Sequence, residues 1–214
     1  SALCARRGHC VRRIVLATRN AHKVAELQAI LGDVIFGLDL EIVGVDEFPD
    51  VEDVVETGVT FAENATLKAV AVAQATGLPA LADDSGLAVE VLGGSPGVFS
   101  ARWAGTHGQD RANLDLLLAQ LTDVPDEHRS AAFVCAAALA MPGGSVVVRE
   151  GRMPGTLAHE PRGSNGFGYD PILVVEGDSR TAAELSTQDK NAISHRGMAF
   201  RALADDLREL FADR

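Results

Sequence analysis

The chain has 214 residues, with 19 Lys and Arg against 30 Asp and Glu and a formal net charge of −11. That balance disfavours duplex nucleic acid and anionic membrane surfaces, partners that require a cationic face. With 47% hydrophobic and 23% charged residues, the composition excludes disorder and is that of a chain able to bury a core, at a length that fits one domain.

Residues 1–10 read as an N-terminal extension: the stretch is basic and no apolar segment follows it, so it lacks the form of a secretory leader. The domain proper is expected over residues 11–214, possessing two lobes. Cys4, Cys10 and Cys135 form an odd set without a Cys-x-x-Cys pair, which fits neither a disulfide framework nor a zinc site and points to a reduced, cytoplasmic protein. The apolar run 14–16 predicts a buried strand across residues 11–17. A polar turn follows, Thr18-Arg19-Asn20-Ala21-His22-Lys23, and then Val24, Leu27, Ile30 and Leu31 at helical spacing predict a helix stopped by Gly32. Residues 40–45 read as a second strand.

Thr60-Phe61-Ala62-Glu63 is a capping-box pattern that opens a helix running to Gly77. Residues 79–82 predict a short strand ending in the turn Asp83-Asp84-Ser85-Gly86, with residues 87–92 as its partner. Asp110 is a candidate cap for a helix whose Leu114, Leu117, Leu118 and Leu121 share one face. Strands over 131–141 and 145–152 flank Pro142-Gly143-Gly144 and read as a hairpin. The stretch 131–141 is also the longest apolar one, well short of the ~18 residues that span a bilayer. A glycine-rich loop over 163–169 leads to a strand at 172–175, and Ala199, Leu203, Leu207, Leu210 and Phe211 mark a final helix. Helices alternating with strands, plus one hairpin, predict an α/β fold with a mixed central sheet covered by helices.

Polar residues concentrate in four loops. The turn from Thr18 to Lys23 adds hydroxyl, guanidinium, amide and ammonium donors to a helix N-terminus, which suits a polyphosphate, although an ordinary cap with solvated charges has the same composition. Neither a P-loop nor a G-x-G-x-x-G pattern occurs in the chain. Asp83 and Asp84, adjacent at a strand end, point to opposite faces. One can face a cleft to bind Mg²⁺ or orient a water while the other caps the turn, and a plain turn is equally compatible. In Gly163-Ser164-Asn165-Gly166-Phe167-Gly168-Tyr169-Asp170-Pro171, glycines permit close approach to a ligand while two aromatics and an Asp offer stacking and hydrogen bonds to a base. Lys190, His195 and Arg196 precede the final helix and could read a nucleobase oxygen or a phosphate; surface charge with a Ser194 cap is the alternative.

Taken in order, Thr18-Arg19-Asn20-Ala21-His22-Lys23, Glu56-Thr57-Gly58-Val59-Thr60-Phe61-Ala62-Glu63-Asn64-Ala65, Ala82-Asp83-Asp84-Ser85-Gly86-Leu87, Gly166-Phe167-Gly168-Tyr169-Asp170-Pro171 and Ser194-His195-Arg196-Gly197 resemble the inosine triphosphate pyrophosphatase family, also called dITP/XTP pyrophosphatases. The resemblance spans residues 13–207. It implies an elongated, two-lobed homodimeric fold with a cleft between the lobes. It also implies magnesium-dependent hydrolysis of non-standard purine nucleoside triphosphates (ITP, dITP, XTP) to the monophosphate and pyrophosphate. Position by position, it places Thr18, Arg19, Asn20, Ala21, His22 and Lys23 on the phosphates, Asp84 as catalytic base and Mg²⁺ ligand, and Ser85 on the substrate. Phe167, Gly168, Tyr169, Asp170, Lys190, His195 and Arg196 would surround the base. Many relatives carry a further acidic residue just before Glu-Thr-Gly; here Val54 and Val55 precede Glu56, which is left as the second metal carboxylate. A related pyrophosphatase acting on other modified nucleotides, or a nucleotide sensor without turnover, would share much of this pattern.

Overall fold

A computed structural model describes residues 12–19 and 21–212. The expected N-terminal extension, its two cysteines and Asn20 lie outside the described residues. Strands β1 (Arg12–Leu16), β2 (Leu40–Gly44), β3 (Ala80–Val89), β4 (Ser130–Ala140), β5 (Val146–Leu157) and β6 (Leu173–Val175) form a six-stranded sheet in the order β2-β1-β3-β4-β5-β6. Its β2-β1-β3 side is parallel and the rest antiparallel, so the sheet is mixed, as expected.

Helices α1 (Ala21–Gly37) and α5 (His195–Ala212) cover one face; α2 (Phe61–Thr76) covers the other. The alternation along β4 explains the arrangement. Ala136, Ala138 and Ala140 meet Ala65, Ala69 and Ala73 of α2, so small side chains on both sides let this helix lie close to the sheet. Cys135, Ala137 and Leu139 point the other way, onto Phe200, Leu203 and Leu207. Toward the far ends of β3–β5, α3 (Asp110–Gln120) closes a second core of Leu87, Leu114, Leu117, Phe133, Met153 and Tyr169. The short α4 (Thr187–Ile193) precedes α5.

Several local expectations hold. Thr60 accepts from the Glu63 amide while the Glu63 carboxylate accepts from the Thr60 amide, a complete capping box, and Gly77 ends α2 in the left-handed region. The hairpin turn is closed by the Met141 amide donating to the Ser145 carbonyl at 2.9 Å. The Ser194 hydroxyl accepts from the Gly197 amide at 3.0 Å and caps α5.

Three expectations are corrected. Gly32 does not stop α1, which runs on to Gly37; an isolated glycine costs a helix about 1 kcal/mol, and the burial of Leu27, Leu31 and Val34 outweighs it. Residues 79–92 are not a hairpin: β3 is one strand paired residue by residue with β4, from Ala80↔Ala140 to Val89↔Ala131. Asp83-Asp84-Ser85-Gly86 therefore lies inside a strand. Asp110 is the first residue of α3, which Gln109 precedes as N-cap without a side-chain bond. Among the described residues, no helix is long and apolar enough to cross a membrane.

Candidate active site

Because side chains alternate along a strand, β3 sends Asp83 and Ser85 toward α1 and α5, and Asp84 toward α2. Each carboxylate meets its own set of cations. The Lys23 ammonium, 3.1 and 3.0 Å from the two oxygens of Asp83, donates to both. Arg196 Nε donates to Asp83 Oδ2 at 3.2 Å, Nη1 to Glu26 at 2.7 Å and Nη2 to Ser85 Oγ at 3.0 Å. Burial pushes the Asp83 carboxyl upward, but Lys23 and Arg196 outweigh it and hold it well below the usual carboxylate range. Burial lowers Arg196, and Asp83 and Glu26 more than restore it.

On the other face, Asp84 Oδ2 accepts from Asn64 Nδ2 at 3.0 Å and Oδ1 from the Ser85 amide at 3.0 Å. Asn64 in turn accepts from the Gly58 amide at 2.8 Å, tying this carboxylate to the segment that carries Glu56. Lys68 donates to Glu56 at 2.6 Å and lies 3.8 Å from Asp84. Burial raises the Asp84 carboxyl, Glu56 adds to the rise, and Lys68 and Asn64 oppose it. A carboxylate pushed upward is the better proton acceptor.

A cleft of about 590 Å³ opens beside Ser85 and Gly86, lined among others by Phe133, Phe167, Lys190, His195 and Arg196. Gly86 has no room for a side chain, since a Cβ there would run into the Gly97 carbonyl and Ser100. His195 stacks on Phe133 with ring centroids 5.1 Å apart, and its buried Nδ1 has no hydrogen-bond partner among the described residues. Burial, reinforced by Arg196 and Lys190, holds this imidazole well below its ordinary value, and therefore neutral near pH 7. Phe167 is 53% exposed at the mouth, with the Lys190 ammonium 5.5 Å from its ring centroid. Asp170 Oδ2 accepts from the Phe167 amide at 2.8 Å and from Lys190 at 2.6 Å. It fills the space a Cβ on Gly166 would take, where φ is +76°. Tyr169 is buried; its hydroxyl donates to the Ser100 carbonyl at 2.9 Å, so it is a wall of the cleft as well as part of the second core. Asp110 accepts from the Gly168 amide at 2.9 Å and fastens the glycine loop to α3.

The polar turn at β1 divides. Ala21 and His22 begin α1, and Thr18 and Arg19 line a second cleft, about 620 Å³, together with Lys68, Glu52 and Asp53. Arg19 donates to Asp46 at 2.9 Å, Asp53 at 3.0 Å and the Val51 carbonyl at 2.8 Å, so three acceptors of the 46–53 segment engage its guanidinium. Sequence reasoning left out Asn64, Lys68, Glu26 and Phe133. Asn64 and Lys68 stand four apart on α2, and Glu26 three after Lys23 on α1, the spacings that share a helix face. Phe133 carried no such signal, being one apolar residue in an apolar strand.

Among the described residues no group of three His, Cys, Asp or Glu side chains converges to hold a metal. Glu56 and Asp84 nonetheless share one cation, Lys68. Two carboxylates around one positive charge suit Mg²⁺, which takes one or two protein carboxylates and completes its shell with water and phosphate oxygens.

The Ham1 family model matches residues 14–206. A dITP/XTP pyrophosphatase of Streptomyces avermitilis is 66% identical over 198 residues, covering 92% of this chain and 98% of that protein. The structure of a HAM1 protein from Coxiella burnetii superposes with a TM-score of 0.85 at 47% identity, covering 92% of this chain and 99% of the other. The crystal structure of the nucleoside-triphosphatase, or dITP/XTP pyrophosphatase, of Mycobacterium abscessus gives a TM-score of 0.77 at 53% identity, covering 92% and 99%.

Proposed function

The chain belongs to the Ham1 family, and on that premise we propose that it hydrolyses non-standard purine nucleoside triphosphates (dITP, XTP and ITP) to the monophosphate and pyrophosphate. The observation that carries the reading is the placement of Asp84 and Ser85 on neighbouring positions of β3: Asp84 joins Asn64, Lys68 and Glu56 on one face, and Ser85 lines the aromatic cleft on the other. One rigid strand thus fixes the distance between the reacting groups and the base pocket.

Phosphoanhydrides resist attack because their negative charge repels the nucleophile, so catalysis needs neutralised charge and an oriented water. In the proposed step a water oxygen bonds to the α-phosphorus as the bond to the bridging oxygen breaks. Asp84, its acidity weakened by burial, takes the water's proton. Asn64 holds Oδ2 and so fixes the plane of that carboxylate. Lys23 and Lys68 place positive charge toward the triphosphate and the departing pyrophosphate. Glu56 and Asp84 would hold Mg²⁺, which supplies charge neutralisation and orientation of the phosphates when bound.

Base choice follows from hydrogen-bond signs. Hypoxanthine and xanthine carry an oxygen at C6 that accepts from a donor such as Arg196, whereas adenine carries an amino group that would face that donor. Mispaired buried donors of this kind reach about 10⁴-fold discrimination. Phe167 supplies a stacking face, and Asp170 with Lys190 sets the loop that presents it. The proposal also carries a cytoplasmic homodimer that takes no nucleic acid or membrane partner; exposed Val55 and Val59, before α2, offer apolar contacts for a second copy.

The deciding experiment is an assay with ITP and Mg²⁺ that reads pyrophosphate and orthophosphate separately. Pyrophosphate and inosine monophosphate in equal amounts are expected; orthophosphate release, or binding without turnover, would overturn the proposal.

A further inference from the structure

The charged groups of the two subsites meet on one carboxylate that the reaction itself leaves without a task. Asp83 is adjacent to Asp84 in the chain but on the opposite face of β3, with a side chain 1% exposed. Its Oδ2 accepts from Lys23 at 3.0 Å and from Arg196 Nε at 3.2 Å. Lys23 enters from the start of α1, on the proposed phosphate side; Arg196 enters from the start of α5 and lines the base cleft. Both other anchors of the guanidinium, Glu26 and Ser85, hold its terminal nitrogens.

We infer that Asp83 is a positioning residue that couples the two subsites, so that engagement of the triphosphate by Lys23 sharpens the reading of the base by Arg196. The inference rests on the proposed assignment of Lys23 to phosphate and Arg196 to the base. A carboxylate oxygen shared by two cations divides its attraction between them, and in a buried site each share is strong. A triphosphate that draws the Lys23 ammonium toward itself leaves Asp83 more fully to Arg196. The guanidinium is then held more tightly at Nε, and the N–H groups of Nη1 and Nη2 not directed at Glu26 and Ser85 are presented to the cleft in a narrower range of orientations. Linkage makes the effect reciprocal: a base bearing a 6-oxo group tightens binding at the phosphate end by the same factor.

The consequence is unusual for two pockets that merely lie side by side. Preference for hypoxanthine over adenine depends on the phosphates, and removing Lys23 frees Asp83 for Arg196 permanently. Dissociation constants of inosine, adenosine and their non-hydrolysable α,β-methylene triphosphates, measured on the full chain, test this in wild type, Lys23→Ala and Asp83→Asn. In wild type the inosine preference should be at least about fivefold larger for the triphosphates than for the nucleosides, the lower end of ordinary coupling. Lys23→Ala should raise the preference between bare nucleosides toward the wild-type triphosphate level, while weakening triphosphates overall. Asp83→Asn should make the two preferences equal.

A wild-type preference that is the same with and without phosphates overturns the coupling, as does an unchanged nucleoside preference in Lys23→Ala. If Asp83→Asn does not fold, the Lys23→Ala comparison decides alone. Absence of any inosine preference in wild type, or a Lys23→Ala loss as large for inosine as for its triphosphate, would instead sink the subsite assignment and the inference with it.

Discussion

Lys68 Nζ lies 2.6 Å from Glu56 Oε1 and 3.8 Å from Asp84 Oδ1, so a single ammonium on α2 serves the carboxylates of two separate segments. Burial lowers the ammonium's proton affinity, but Asp84 and Glu56 more than restore it, and the lysine stays charged. Removing that charge leaves two partly buried carboxylates without their shared cation and takes one cation from the proposed phosphate site. Lys68→Met should therefore lower kcat/KM for ITP by about tenfold or more, the equivalent of one charged hydrogen bond. Wild-type kcat/KM in this variant would remove the lysine from the mechanism.

The two neighbouring aspartates should fail in different ways. Asp84→Asn keeps the shape and the Asn64 contact by an amide flip but accepts no proton, so turnover should fall by at least about 10²-fold while ITP still binds. Asp83→Asn leaves the half-buried Lys23 and the buried Arg196 without their shared counter-charge, and the loss should cost about 3–5 kcal/mol of folding stability. Urea unfolding and steady-state kinetics on both variants separate the cases. Equal kinetic losses with equal stabilities would contradict the division of labour between the faces of β3.

His195 makes a prediction about pH. Its imidazole is held neutral by burial, with Arg196, Lys190 and Lys23 opposing protonation and Asp83 favouring it. The folded-state value lies below the unfolded one, so below about pH 6.5 the unfolded chain binds a proton that the native state excludes. Stability should then fall with decreasing pH, by up to about 1.4 kcal/mol per pH unit for this one group. Between pH 7 and 5 the urea midpoint should decline in wild type and stay flatter in His195→Gln. Parallel slopes for the two proteins would show that the native state takes up a proton at this histidine as readily as the unfolded chain does.

Much of the fold was legible because its signals are local. The Thr60–Glu63 capping box, Gly77 at the end of α2 and the Pro142-Gly143-Gly144 turn each depend on bonds within a few residues, and each stands where the sequence puts it. Asp83-Asp84-Ser85-Gly86 misleads for the converse reason. Its composition is that of a turn, but its polar side chains find partners far away in the chain, Asp83 with Lys23 and Arg196, Asp84 with Asn64 and Lys68, and its backbone pairs with β4. Those distant partners make a continuous strand affordable, and no window of neighbouring residues contains them. The same limit hid Lys68 and Glu26, whose tasks exist only once α1, α2 and α5 pack on β3. At Asp110 the local pattern at a helix start points to a cap, while its carboxylate reaches 58 positions along the chain to Gly168.

Base preference can be divided between two residues of the cleft. Phe167 presents half of its surface to solvent and offers any purine a stacking face, so Phe167→Ala should weaken ITP and ATP alike, by about 1–3 kcal/mol. Arg196 is a different case, since truncating it to alanine would also strip Asp83 and Glu26 of a buried partner and confound kinetics with folding. Arg196→Lys keeps a cation for both carboxylates and removes the planar fork of donors. It should depress kcat/KM for ITP and XTP while leaving the low ATP rate nearly unchanged. The ITP-to-ATP ratio therefore collapses for Arg196→Lys and persists for Phe167→Ala. A ratio indifferent to both substitutions, or one that falls only with the phenylalanine, would mean that the 6-oxo group is read by another wall of the cleft, with the neutral His195 and the Lys190–Asp170 pair the next to be substituted.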